Sequence, residues 1–225
     1  MTMTPTQIQD RIDERKAATP EATTYQHIKP FASAAEDLID TVLNEDGRWM
    51  FGVQEIDACI RGVGPSELMY VTGRAHSGKT QLVLQSIVNN PNANVIIFTP
   101  DEVDALILTK LIGITRGWNA ELLEEKVKAE DPDAMDMVRR VASEEFKNLI
   151  VIDNTLSFTE MSQAMSEAED YWGGGADVVV IDFLELLPGE AEHGGVTWKS
   201  QTLKRWTKHH EVPVVCLHQA SRSSG

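Results

Sequence analysis

Gly73, Arg74, Ala75, His76, Ser77, Gly78, Lys79 and Thr80 fit G-x-x-x-x-G-K-[ST], the spacing of a phosphate-binding loop. The glycines let backbone N–H groups turn inward, where they cradle phosphate oxygens. The positive end of a following helix adds to that cradle. At this spacing Lys79 reaches the β- and γ-phosphates and the Thr80 hydroxyl sits on Mg²⁺. The motif needs a strand before it and a helix after it. Leu68-Met69-Tyr70-Val71 and the helical pattern from Gln81 to Val88 supply both. Residues 73–81, Gln81 included, are therefore the expected phosphate site; the plainer alternative is a glycine-rich turn that merely opens a helix.

Further polar groups end apolar runs downstream. Val178-Val179-Val180-Ile181-Asp182 is four β-branched residues closed by a carboxylate, the form in which a strand-end Asp orients Mg²⁺ through its water shell. Phe98-Thr99-Pro100-Asp101-Glu102 ends in two acids, and hydrolysis needs a group that positions the attacking water. Asp101 and Glu102 are both candidates, with Glu185 a weaker one. Two acids that simply open a helix would fit the same stretch. Val214-Val215-Cys216-Leu217-His218-Gln219 ends in polar groups, and Gln219 could contact the γ-phosphate and report its loss.

These groups imply the elements that carry them. Apolar strands are expected at 68–72, 95–99, 149–153, 178–182 and 214–217, with helices near 80–89, 103–116, 133–146, 160–171 and 196–210. Near-continuous apolar strands separated by helices mean a mostly parallel α/β sheet covered on both faces. In such sheets ligands bind outside the carboxyl ends of the strands, where the loop, Asp101-Glu102, Asp153, Asp182 and Gln219 all fall. Residues 1–46 are polar and read as an arm, with helices at 6–17 and 32–43, a linker holding Pro20 and Pro30, and a capping box at Ser33 and Glu36. Residues 47–225 form the core.

Composition narrows the classes. The chain has 225 residues, 42% hydrophobic, with no apolar run long enough for a membrane span and no apolar stretch at its start for a signal peptide. Cys59 and Cys216 are no disulfide framework, which points to a reducing cytoplasm. A net charge of −15 is unlike a tight nucleic-acid binder. The nearest basic surface is Lys199, Lys204, Arg205 and Lys208 with Trp198 and Trp206, and an amphipathic helix packed on the sheet explains it better. His209-His210 reads as a solvated helix end.

GPSELMYVTGRAHSGKTQLVLQSI, VIIFTPDE, VVVIDFLELL and VPVVCLHQASR, in that order, resemble the RecA-like ATPase domain of DnaB-type replicative helicases. Phe51-Gly52-Val53-Gln54-Glu55-Ile56-Asp57 looks like the TG-x-x-x-LD opening shared by DnaB, RadA and KaiC proteins. The likeness covers about residues 48–222. It implies a RecA-like P-loop fold with sheet order 3-2-4-5-1, ATP and Mg²⁺ as cofactors, Lys79 and Thr80 as phosphate and metal ligands, and Asp182 as the metal-orienting acid. The family's catalytic glutamate falls at Asp101 in an ungapped match and at Glu102 in RecA-like spacing; Gln219 matches its strand-end glutamine. Implied partners are single-stranded DNA, further copies of the chain in a hexameric ring or filament with nucleotide between subunits, and replisome proteins. Two departures stand out. The helical domain that docks primase is replaced by a short arm. The family continues past Gln219 with a DNA-binding loop, strands and an arginine finger, and Arg222 is not at the finger's place, so these parts are expected from further sequence or another polypeptide. A RecA/RadA-like recombination ATPase and a KaiC-like regulatory ATPase are the other readings.

Overall fold

The computed structural model describes residues 31, 34–43, 47–187 and 195–220. The expected helix at 6–17, the linker, the Ser33 cap and the segment 221–225 with Arg222 lie outside them. Contacts group the chain into two units, Met1–Glu45 and Asp46–Gly225. In the first, α1 (Ala34–Leu43) carries exposed Leu38, Ile39, Val42 and Leu43.

The second unit is built on five parallel strands: β1 (Leu68–Gly73), β2 (Val95–Phe98), β3 (Leu149–Ile152), β4 (Val178–Ile181) and β5 (Val214–Gln219). Their order is β1-β5-β4-β2-β3, the expected 3-2-4-5-1 read from the other edge. Every residue of β2 and β4 is buried. Because side chains alternate along a strand, each run serves two cores. Val95, Ile97, Val178, Val180, Val215 and Leu217 pack on one face, with Val83, Leu84 and Ile87 of α3 (Lys79–Asn89) and Ile107 and Leu111 of α4 (Asp104–Arg116). Ile96, Phe98, Val179, Ile181, Val214 and Cys216 pack on the other, with Met161 and Met165 of α5 (Phe158–Trp172) and Leu203 and Trp206 of α6 (Val196–His210). Each such aliphatic side chain contributes about 1.5–3 kcal/mol by leaving water, which is why uninterrupted Val/Ile runs end up central.

The helices depart from expectation in three places. Gln54–Ile60 and Ala120–Lys128 are helical where none was expected. The first is fixed by Asp57, whose carboxylate accepts from the N–H of Phe51 at 2.8 Å and of Val53 at 3.1 Å. The second is capped by the Asn119 side chain, which accepts from the N–H of Leu122. The expected helix at 133–146 is a helix only over Pro132–Arg140, where Asp131 caps it, and then widens into a π turn at Val141–Glu145. Cys59 and Cys216 are free thiols. Among the described residues no helix is long and apolar enough to cross a membrane.

Candidate nucleotide site

The loop between β1 and α3 has the backbone its residues dictate. Gly78 stands at φ 87°, a left-handed conformation in which a side chain is strained. A Cβ on Gly73 would lie 2.5 Å from Ser77 Oγ, so the tight turn excludes one. Ala75, His76 and Ser77 are exposed between them. Lys79 opens α3 and donates from Nζ to the carbonyls of Gly73 at 3.2 Å and Arg74 at 2.9 Å.

β4 delivers Asp182 to the same place. Thr80 Oγ1 donates to Asp182 Oδ2 at 2.7 Å, joining residues 102 positions apart. Asp182 is only 8% exposed. Burial pushes its carboxyl above the usual Asp range; the Thr80 hydrogen bond opposes this, the Glu102 charge adds to it, and Lys110 and Lys79 pull it down. A hydroxyl and a carboxylate in contact are the hard oxygen pair that suits Mg²⁺, an ion that keeps several waters and takes one or two protein oxygens beside phosphate. Among the described residues no group of three or more His, Cys, Asp or Glu could hold a metal without such help.

β2 brings the two acids, and the structure separates them. Both oxygens of half-buried Glu102 are taken by the ammonium of Lys110, from α4. Exposed Asp101 has no hydrogen bond or ion pair among the described residues. β5 brings Gln219, which pairs in register with Gly73. A cleft of about 410 Å³ is lined by residues 75–81, Asp101, Glu102, Lys110, Asp182, Phe183 and Gln219. Gly73 and Arg74 contribute the carbonyls that hold Lys79 and are not on that wall. A second hollow of about 340 Å³, between α4 and β3, has Asp104 as its one charged lining residue and offers nothing to a phosphate.

Four strand ends meet at this cleft, and the fifth does not. Asp153 follows β3, which lies at the far edge of the sheet beyond β2, and is absent from the cleft wall. Glu185, the weaker candidate base, is not on the wall either; its carboxylate faces His218 and the backbone of Gln219. Lys110 and Phe183 line the cleft without having been expected there. Lys110 lies eight residues beyond Glu102, two helical turns into α4, a spacing that carries no motif.

The basic-aromatic stretch is packing, as the amphipathic alternative has it. Trp206 is buried and donates from Nε1 to Ser162 Oγ at 2.9 Å. Lys199 is buried and donates to the Glu185 carbonyl at 2.6 Å, and Lys204 donates to the Ser66 carbonyl at 3.1 Å. Of the two histidines closing α6, His209 is exposed, but His210 Nε2 lies 2.8 Å from Ser162 Oγ, and burial lowers its pKa.

Comparison with known proteins points the same way as the cleft. The profile described as "DnaB-like helicase C terminal domain" matches residues 50–225. The replicative DNA helicase DnaB of Geobacillus stearothermophilus is 28% identical over 211 residues, which is 88% of this chain and 46% of that protein. A probable replicative DNA helicase of Guillardia theta is 22% identical over 215 residues, 89% of this chain and 35% of that protein. The chain thus spans less than half the length of these curated relatives. A solved phage helicase ATPase domain superposes with a TM-score of 0.69 at 22% identity, covering 87% of this chain and 72% of that one. A DnaB-like replicative helicase studied for its interactions with primase superposes at 0.67 and 21% identity, covering 96% of this chain and 54% of that one. The fold is RecA-like, and over residues 50–225 the chain belongs to the DnaB-like helicase C-terminal domain family.

Proposed function

We propose that residues 47–225 are the ATP-hydrolysing core of a DnaB-like helicase that moves single-stranded DNA during replication in the cytoplasm. The observation that carries the reading is the Thr80–Asp182 contact at 2.7 Å, made at the mouth of the loop and within the cleft that also holds Asp101 and Gln219. Lys79 and the loop N–H groups grip the β- and γ-phosphates, while Thr80 and Asp182 hold Mg²⁺. The ion supplies charge neutralisation across the phosphate oxygens. Asp101 is the base that takes the proton of the attacking water. Its carboxylate is free to do so, whereas an ammonium already occupies Glu102. Gln219 contacts the γ-phosphate from the adjacent strand. The arm at 1–46, assembly of several copies with nucleotide between them, an arginine reaching in from a neighbour, and replisome contacts belong to the same reading, and the family is what supports them.

ATP turnover measured with and without single-stranded DNA tests it. Mg²⁺-dependent hydrolysis that DNA accelerates is expected. Hydrolysis indifferent to DNA would sink the motor and leave an ATPase; absence of nucleotide binding would sink the site.

A further inference from the structure

β4 leaves the sheet before β5 does. Their pairing ends at Ile181 and Cys216, while β5 runs on beside β1 to the pair Gly73–Gln219. The last residues of β5 therefore have a strand on one side only. On that side the N–H of Ala220 donates to the Gly73 carbonyl at 3.1 Å. On the other, no strand carbonyl remains for the N–H of Gln219. It donates instead to a side chain, Glu185 Oε1, at 3.1 Å. The ring nitrogen Nδ1 of His218 lies against the same carboxylate oxygen.

Glu185 is itself held firmly. It sits in the short 3₁₀ turn Leu184–Leu186 that follows Asp182, and Leu184 is buried in the core. The buried Lys199 donates to the Glu185 carbonyl from α6. The second carboxylate oxygen, Oε2, is buried without a hydrogen-bond partner. An unsatisfied buried acceptor costs stability. Packing alone therefore does not account for a glutamate here, whereas holding a strand tip does.

We propose that Glu185 is the positioning residue for Gln219. Its carboxylate stands in for the missing β4 carbonyl, finishes β5 two residues beyond the point where β4 stops, and fixes Gln219 at the cleft. The segment that carries Asp182 thereby also sets the group facing the γ-phosphate: three residues along the chain join the metal side of the site to the sensor side. The consequence for turnover rests on the nucleotide reading above; the clamp on the strand does not.

Amide hydrogen exchange at Gln219 reads the clamp without any turnover. A backbone N–H bound to a charged acceptor should exchange about tenfold or more faster in Glu185→Ala than in the wild-type chain, with most protection retained in Glu185→Gln, whose amide oxygen still accepts. Equal exchange in all three overturns the proposal. ATP kinetics read its consequence. In Glu185→Ala, kcat falls about tenfold while KM moves less than about threefold, Glu185→Gln restores most of the loss, and Glu185→Ala adds nothing further in a Gln219→Ala background. A loss that adds fully to that of Gln219→Ala overturns it as well. Failure of the nucleotide reading looks different: Lys79→Ala would bind ATP like the wild-type chain while the exchange pattern at Gln219 stood unchanged.

Discussion

Lys79 and Lys199 are both helix lysines beside one sheet, and both donate to backbone carbonyls, yet they do opposite things. Lys79 lies at the open mouth of the cleft, and its acceptors belong to the loop itself, so a phosphate can take over the ammonium without opening the core. Lys199 is buried under α6, and its acceptor is a turn that holds β5. A cation can meet a ligand when its present partners are replaceable and its position opens onto a cavity. Sequence gives the cation; only the fold gives the second condition.

The sharpest way to break this contrast is to exchange the consequences. Lys79→Ala should lower ATP turnover by at least about a hundredfold, the cost of removing a charge aimed at the transferring phosphoryl group, and leave the thermal transition near that of the wild-type chain. Steady-state hydrolysis beside a melting curve checks both halves. Turnover at the wild-type rate would mean that the loop is only a turn.

The same logic separates the two acids of β2. Asp101→Asn should slow single-turnover hydrolysis about a hundredfold, as loss of a general base does, while Glu102→Gln, which breaks an ion pair rather than removing a free base, should cost about tenfold or less. The reverse order would assign the base to Glu102 and make Lys110 the group that tunes it.

What could be read beforehand follows from how local each cause is. The five strands were legible to within two residues because unbroken runs such as Val178–Ile181 admit little else, and the loop because its glycine spacing is fixed by backbone geometry. The strand order came from the family likeness, not from any run of residues. The helix Ala120–Lys128 was signalled by its Asn119 cap and overlooked, being short and highly charged. Lys110 was out of reach, since its contact with Glu102 depends on the angle between α4 and β2. Asp153 was misjudged for the related reason that a strand end faces the site only if its strand lies near the switch in order, and β3 is at the edge.

Lys199 supplies the structural half of the contrast. Lys199→Met keeps the length of the side chain and removes its donor, leaving the Glu185 carbonyl unsatisfied; the expected cost is about 1–3 kcal/mol. In a domain of this size that lowers the melting temperature by about 2–4 °C for each kcal/mol. Exposed Lys208→Ala on the same helix should stay within about 0.5 kcal/mol. If the two variants melt alike, the packing account of α6 fails, and its basic residues return as candidates for a DNA-facing surface, to be tested by the salt dependence of binding.

The smallest effect concerns Asp182, and its sign is informative. Burial holds this carboxyl above the usual Asp range. A group whose folded pKa is raised stabilises the fold fully only below its unfolded pKa, and that contribution disappears as pH rises through the folded value. Near neutral pH the wild-type chain therefore carries a buried anion at a cost. Asp182→Asn is neutral and similar in shape, and its amide oxygen can still accept from Thr80. Without nucleotide or Mg²⁺, the variant should melt above the wild-type chain at neutral pH, with the gap closing as the solution is acidified into the range where Asp182 takes up its proton. Comparing the pair at each pH cancels the titration of distant groups. A variant that melts lower at neutral pH would show that the carboxylate stabilises the fold, and the trade of stability for metal binding inferred for this strand end would not hold.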